Sequence, residues 1–422
     1  MSQRPPRDLK SVLSGLEGAP PAPRVPAAQL GATIEDVTLE TYGVTSDAAR
    51  RYLTLGKGSV LEQAGVDRDY SNLVNLAGWR PRLVINQGSR LKAVTLHWIV
   101  VAPWLRTIVH PLDTGQPLSP IPGLGGALTP PSIDDRGTRF AAYGLSNGLV
   151  SLGGLFITTP TAIDAVAGRQ SDLMADVSGG RGVYRASQPT ATNVYSWTAG
   201  EAVHYLIRET DGTQFEFAVR QLHSSDAEPS GIIAPSLYST YNAPAINTLL
   251  EAGVLHVCTS AQLYPPYCGG QYRFEVIDAI GAFGATNEYQ IYVAGITRYV
   301  AVGTSTLAFY AGAARTGGVL PDSFLVCASG RAYPKAFCGT DAQSLTAEYR
   351  IADALPRKLK LVLFTETASS RVRGGSQPWA LPTFQWHAGS GIGIVYAGLV
   401  RLDLAYGSEG ARLWILLKGA SF

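Results

Sequence analysis

The sequence has little charge, little lysine, few cysteines and no long apolar segment. Charged residues make up 16% of the 422 residues and the net charge is +2, against roughly 25% charged residues in ordinary soluble domains. A nearly neutral chain gives no electrostatic argument for nucleic-acid binding. No segment reaches the ~18 uninterrupted apolar residues of a membrane-spanning helix, and the nearest, residues 93–105, contains His97. We therefore expect weak or no nucleic-acid binding and no contact with a membrane.

The first thirty residues predict an extended N-terminal arm. A Pro/Ala-rich stretch over residues 19–26 is expected to be extended and semi-rigid. A short helix precedes it, and because a lone helix on a proline tether is unstable by itself, its apolar stripe is expected to lie in an interface. The stripe consists of Leu9, Val12, Leu13 and Leu16. No apolar segment follows the first charges, which argues against a signal peptide and for synthesis in a cytoplasm.

The rest of the chain is rich in residues of strands and turns. With 46 glycines, 26 prolines and 20 tyrosines, it is expected to be mainly β with a few short helices. Helices are predicted at 46–53, from Pro160 to Ala167 and from Asn242 to Gly253. A polar, proline-containing stretch suggests a mixed α+β domain over 31–225, β-rich after residue 80, and a β-rich domain over 226–422.

All four cysteines lie in a segment that occurs twice. Each copy reads V-C-x-S-x-x-x-Y-P and ends in C-G, which we interpret as a repeated β-loop-β unit. The copies contain Cys258, Tyr264, Pro265 and Cys268, and Cys327, Tyr333, Pro334 and Cys338. The cysteines of a copy are ten and eleven positions apart, unlike the C-x-x-C pairs of zinc sites. Buried reduced thiols and disulfides across a hairpin both fit, and the Tyr-Pro loops are expected to be contact surfaces.

Two short motifs admit a hydrolase as an alternative. Ser146 lies in a G-x-S-x-G pattern, but a strand rather than a helix is predicted after it. Asp113 lies in Asp-Thr-Gly, but the chain has no second copy to share a proton with it. The glycines of 389–393 lead into a strand, which is opposite to a dinucleotide fingerprint. The six histidines are dispersed, and no metal or cofactor is expected.

The Pro-rich arm, the low-charge Gly/Pro/Tyr-rich body and the long loops together resemble the structural proteins of non-enveloped RNA viruses. The resemblance implies β-sandwich or jelly-roll domains and a capsid or capsid-surface subunit in the virion. Such a subunit would assemble with copies of itself, and a second capsid protein is an optional partner. The arm lacks a basic run, so few genome contacts are expected. A β-rich module that binds glycans or receptors through Trp379 and Trp386 is the alternative from another class.

Overall fold

A computed structural model describes most of the chain from residue 23 onward. The described residues are 23–102, 105–112, 121–128, 133–146, 150–185, 193–227, 245–256, 269–286, 288–318, 326–328, 330–332, 337–352, 359–371, 385–396, 400–408 and 410–417. They form a small N-terminal domain and one large sheet. The predicted helix with the Leu9 stripe lies outside the described residues.

The N-terminal domain packs two helices against a three-stranded sheet. Its elements are a 3-10 turn Ala27–Gln29, β1 Thr33–Tyr42, α1 Ser46–Arg50, α2 Gln63–Ser71, a π-helical turn Asn72–Leu76, β2 Arg80–Gln87 and β3 Ala93–Val101. The sheet order is β1-β3-β2, with β1 parallel and β2 antiparallel to the central β3. The helix predicted at 46–53 is confirmed as the shorter α1. The Thr45 hydroxyl caps it by accepting from the Ala48 amide at 3.2 Å.

Period-two alternation builds the core of this domain. Along β3, Val94, Leu96, Trp98 and Val100 are buried, while the residues between them are half-buried. Because alternate residues of a strand point to opposite faces, these four form one apolar face. The helices cover it with side chains such as Leu73.

Sixteen strands form the large sheet. They are β4 Leu105–Leu112, β5 Ile121–Leu128, β6 Arg139–Ser146, β7 Val150–Asp164, β8 Arg169–Arg185, β9 Asn193–Glu209, β10 Thr213–Ala227, β11 Ala245–His256, β12 Gly270–Ala279, β13 Tyr289–Val302, β14 Ser305–Gly318, β17 Asp341–Ile351, β18 Leu359–Arg371, β19 Gln385–Tyr396, β20 Val400–Gly407 and β21 Gly410–Leu417. A 3-10 turn, Gly281–Phe283, follows β12. The strands β15 Val326–Ala328 and β16 Phe337–Gly339 form a separate two-stranded ribbon.

The large sheet is an antiparallel meander that curls round on itself. Each strand pairs with the next one along the chain, apart from the ribbon between β14 and β17. The two end strands, β4 and β21, approach within 8 Å between Cα atoms. The meander thus encloses an interior, which we call the lumen, with a mouth at either end of the strands.

The two faces of the sheet have an inverted polarity. On β10, Phe217 and Val219 are each 52% exposed, whereas Glu216 is 9% and Arg220 7% exposed. On β20, Leu404 is likewise exposed beside a fully buried acidic residue. Water-soluble sheets bury their apolar face, so this sheet has its polar side toward the lumen and its apolar side toward the surroundings. Among the described residues, no helix has the length and apolarity needed to cross a bilayer.

The prediction of β-sandwich or jelly-roll domains is wrong. A sandwich packs two sheets face to face, whereas here one sixteen-stranded sheet closes on itself. The sheet also continues through residues 225–226, where the sequence suggested a domain boundary, because β10 and β11 pair along their length.

Two predicted helices are strands. Residues 245–256 form β11, which is paired on both sides by β10 and β12. Residues 160–164 continue β7, and Pro160 is accommodated because the pairing register shifts between Pro160 and Ala162. Strand pairing here overrides the local helix signal.

Candidate functional site

A chain segment between β14 and β17 reaches back into the lumen. The ribbon of β15 and β16 lies in this connection, with Cys327 directly opposite Cys338 in its register. Between the two short strands, Arg331 is only 4% exposed and Ala332 is fully buried. Long connections are normally solvent-exposed, so burial of an arginine here indicates a specific contact inside the barrel-like sheet.

The Arg331 guanidinium binds three carboxylates from three strands. Its Nη1 donates to Glu348 Oε1 on β17 at 2.7 Å and to Asp403 Oδ2 on β20 at 3.1 Å. Its Nε donates to Glu366 Oε2 on β18 at 3.1 Å, and the next amide, that of Ala332, donates to Glu366 Oε1 at 2.8 Å. The segment is therefore attached to the wall by side chain and backbone together.

Two further arginines balance the charge around this contact. Arg350 Nε lies 2.9 Å from Glu348 Oε2, and Arg401 Nη2 lies 3.0 Å from Glu348 Oε1. Arg401 Nε also donates to the Asp403 carboxylate at 2.8 Å. Three arginines and three carboxylates thus form one neutral group. We call it the Arg331 cluster; its members are Arg331, Arg350, Arg401, Glu348, Glu366 and Asp403.

Glycines of β19 make room for the inserted segment. A Cβ on Gly389 would fall 2.1 Å from the Ala332 Cβ, and one on Gly391 would fall 2.3 Å from the ring of Phe364. That ring lies under the guanidinium, with Arg331 Cζ 3.5 Å from its centroid. The glycines at 389, 391 and 393 alternate along one face of the strand, which explains the pattern that the sequence analysis compared with a nucleotide-binding motif.

A second charged group lines the lumen on β8 to β11. His204 is fully buried, with Nδ1 2.7 Å from Glu216 Oε1 and Nε2 2.5 Å from Asp176 Oδ2. Because both ring nitrogens face carboxylate oxygens, the ring donates on both sides only as an imidazolium. Arg220 continues the chain of charges, 3.6 Å from Asp176 and 3.4 Å from Glu251.

The N-terminal domain is docked under one mouth of the large sheet. Arg208 of β9 bonds to Asp172 of β8, and its Nη1 donates to the Leu76 carbonyl at 3.1 Å. Arg139 of β6 donates to the Ala77 carbonyl at 2.7 Å. Two arginines thus bind the carbonyl end of the α2 helix, where the helix dipole favours positive charge.

Polar side chains of the N-terminal domain complete this docking interface. Asn72 Nδ2 donates to the Ala165 carbonyl at 2.9 Å, and the Asn75 amide group donates to the Thr210 carbonyl. The hydroxyl of Tyr52 donates to Gln170 Oε1 at 2.9 Å, and burial raises the pKa of Tyr52 to about 12. The interface joins both helices to turns of the sheet, so domain and sheet form one packed unit at this mouth.

The residues predicted from sequence fall mostly elsewhere. Ser146 ends β6 and its hydroxyl lies 2.8 Å from that of Ser151 at the start of β7, so the turn joins two strands and lacks the helix that a nucleophile elbow needs. Trp386 is half-exposed on β19. Cys258, Cys268, Tyr264, Pro265, Tyr333, Pro334, Asp113, Trp379 and the Leu9 stripe lie outside the described residues.

Comparison with known proteins identifies the fold. No family model matches the chain, and no curated protein matches its sequence. The structure of BamA from Haemophilus ducreyi lacking POTRA domains 1-3 superimposes with a TM-score of 0.60 at 13% identity, covering 92% of this chain and 82% of that one. CdiB from Escherichia coli gives 0.55 at 12% identity, covering 92% and 74%. CdiB from Acinetobacter baumannii gives 0.52 at 10% identity, covering 92% and 73%.

The fold is that of an outer-membrane β-barrel. The viral resemblance inferred from composition is therefore wrong, and so are the capsid function and the virion location that it implied. The expectation of a capsid-like homo-oligomer without membrane contact is wrong as well, because the similar barrels are membrane-embedded proteins. Composition misled because an outer apolar face lowers the charge and raises the aromatic content in the same way as a large subunit interface does.

Proposed function

We propose that this protein is an integral β-barrel of a bacterial outer membrane, and that it moves polypeptide segments through or into that membrane. The observation that carries the membrane placement is the inverted polarity of the sheet. Exposed Phe217, Val219 and Leu404 alternate with buried charged residues, and such apolar-out, polar-in alternation suits a barrel surrounded by lipid.

The length of the strands agrees with this placement. The sixteen strands have 8 to 17 residues each, and a tilted strand of about 9–11 residues crosses the hydrocarbon layer. Antiparallel pairing satisfies the backbone groups from strand to strand, which lipid requires because it offers no hydrogen-bond partners. The two mouths then face opposite sides of the membrane.

The transport part of the proposal rests on the Arg331 cluster. A neutral group of six charged side chains holds Ala332 and its neighbours inside the lumen, so this state of the barrel is a closed one. A purely structural barrel would need no removable segment at its centre. Withdrawal of Arg331 would open space along β17 to β20 while leaving Glu348 and Asp403 with Arg401 as a remaining partner.

The docked N-terminal domain supports a polypeptide as the cargo. Its sheet has β2 at an edge, paired only with β3 among the described residues. An open strand edge can bind an extended polypeptide through backbone hydrogen bonds. The docking interface holds this edge at the mouth where a segment would enter. The similar barrels are of the transporter and assembly type, and we propose no hydrolase activity for Ser146 or Asp113.

Fractionation of native cells tests the placement. We expect the protein in the outer-membrane fraction, resistant to carbonate extraction and running faster on gels when unheated, as folded barrels do. Photo-crosslinking groups placed on β2 and, as a matched control, on the opposite edge β1 test the cargo. Cross-links to unfolded exported polypeptides at β2 alone would support the proposal. Recovery of the protein in a soluble fraction would overturn the placement, and equal or absent cross-linking at both edges would overturn the cargo.

A further inference from the structure

The ribbon that carries the inserted segment is short for its task. It contains three backbone-paired positions, Val326 with Gly339, Cys327 with Cys338, and Ala328 with Phe337. An isolated two-stranded ribbon is marginally stable in water. Nevertheless Arg331, four residues after Cys327 in the chain, is buried in a defined contact with three strands. Something further must hold the two arms of this connection together.

The register places the two cysteines at the middle pair of the ribbon. Residues directly opposite in an antiparallel ladder have Cα atoms about 4.5 or 5.5 Å apart, depending on the hydrogen-bonding pattern. Disulfides bridge Cα atoms about 4.4–6.8 Å apart. Either kind of pair therefore suits a disulfide without movement of the backbone.

The topology also separates this pair from the other two cysteines. Cys258 follows the end of β11 by two residues and Cys268 precedes β12 by two, at the mouth where the N-terminal domain is docked. Cys327 and Cys338 follow β14 and precede β17, at the opposite mouth. Exchange between the two pairs would have to cross the length of the barrel, so each cysteine can pair only within its own copy.

We propose that Cys327 and Cys338 form an intramolecular disulfide that closes the loop bearing Arg331 and holds it in the Arg331 cluster. This inference rests on the proposed outer-membrane location, because disulfides persist in the oxidising envelope and not in the cytosol. A covalent closure removes most of the conformations that a withdrawn loop could explore. The disulfide therefore favours the closed state of the lumen.

The bond forms by exchange with a dithiol-disulfide oxidase of the envelope. The thiolate of one cysteine attacks the oxidase disulfide and a mixed disulfide results. The second thiolate then attacks the protein sulfur of this mixed disulfide, which forms the Cys327–Cys338 bond and releases the oxidase as a dithiol. Two electrons pass to the oxidase, and the two thiol protons end on its sulfurs.

The test labels thiols in the full-length protein. Native cells are quenched with acid and alkylated with N-ethylmaleimide, and non-reduced peptides are mapped by mass spectrometry. The same mapping follows equilibration of detergent-purified protein with oxidised and reduced glutathione. Cys258→Ser with Cys268→Ser is the matched control, and Cys327→Ser with Cys338→Ser removes the proposed bond.

We expect a Cys327–Cys338 cross-linked peptide in cells, in purified protein and in the control. We also expect reduction, or the Cys327→Ser/Cys338→Ser change, to raise the open fraction in single-channel recordings by about tenfold or more. If the pair is linked in purified protein but alkylated in cells, the pairing is supported and the outer-membrane location is contradicted. If both thiols remain alkylated in purified protein under oxidised glutathione, or if they link to Cys258 or Cys268, the inference is overturned whatever the location.

Discussion

Replacing Arg331 by alanine removes one cation that binds three buried carboxylates. Glu348 and Asp403 keep Arg401 within 3.0 Å, but the group changes from neutral to a net charge of −1 inside the lumen. Breaking a buried ion pair by removing one partner costs about 3–5 kcal/mol. We therefore expect the ratio of withdrawn to inserted segment to rise roughly 100- to 5,000-fold.

Single-channel recording in planar bilayers measures this ratio as the open fraction, and protease cleavage between β14 and β17 measures it independently. Arg315→Ala is the matched control, because Arg315 is an exposed arginine on β14, 3.9 Å from Asp341. Such a surface pair contributes about 0–1 kcal/mol, so this variant should behave like the wild type. Arg331→Lys tests the guanidinium, since lysine keeps the charge but lacks the planar fork.

An Arg331→Ala protein that is folded, as judged by its unheated gel mobility, and yet shows the wild-type open fraction and cleavage rate would refute the reasoning. It would mean that packing of Ala332 against Gly389 holds the segment without the charges. An open fraction raised equally by Arg315→Ala would point to a general loosening of the connection instead. Only an effect specific to Arg331 assigns the closed state to the cluster.

Three further predictions concern other parts of the barrel. Phe217→Arg on the outer face should cost about 2–4 kcal/mol if the side chain lies near the middle of the bilayer, lowering the folded fraction in urea titrations, whereas Phe217→Leu should be nearly neutral. Arg208→Ala should free the Leu76 carbonyl and speed hydrogen exchange in the π-helical turn by at least about tenfold, with barrel strands unchanged. Hydrogen bonds from Ser89 lower the pKa of Glu35 below its usual 4.5, so their contribution is present above pH 4.5 and is lost as the pH falls through the lowered value. Glu35→Gln should remove this pH dependence of exchange in the turn between β2 and β3, and an unchanged profile would contradict it.

Local signals in the sequence were sufficient for several elements. Ser46 to Arg50 is a helix as its capping pattern predicts, and Asp211-Gly212 forms the turn between β9 and β10 as turn chemistry requires. The fold class of mainly β with a few short helices follows from composition. These features depend on residues near one another in the chain, which is why they can be predicted without a tertiary structure.

The sequence also contained the signals of the site, but with no indication of their partners. Gly389, Gly391 and Gly393 alternate on a strand, a pattern that indicates close approach to one face. Arg331 stands in the repeated cysteine segment, where nothing nearby marks it as buried. Its carboxylates lie 17, 35 and 72 residues away along the chain, so only the curvature of the sheet brings them together.

The sequence alone determined that Phe215 to Arg220 alternates apolar and polar side chains with period two. Alternation specifies two faces but does not say which face meets water, because a soluble sandwich and a membrane barrel share the same period. Closure of sixteen strands made that decision, since it turned Glu216 and Arg220 toward the lumen and left Phe217 facing outward. The physical reason is that a closed sheet has only one interior, and buried charges are stable there only when paired with one another.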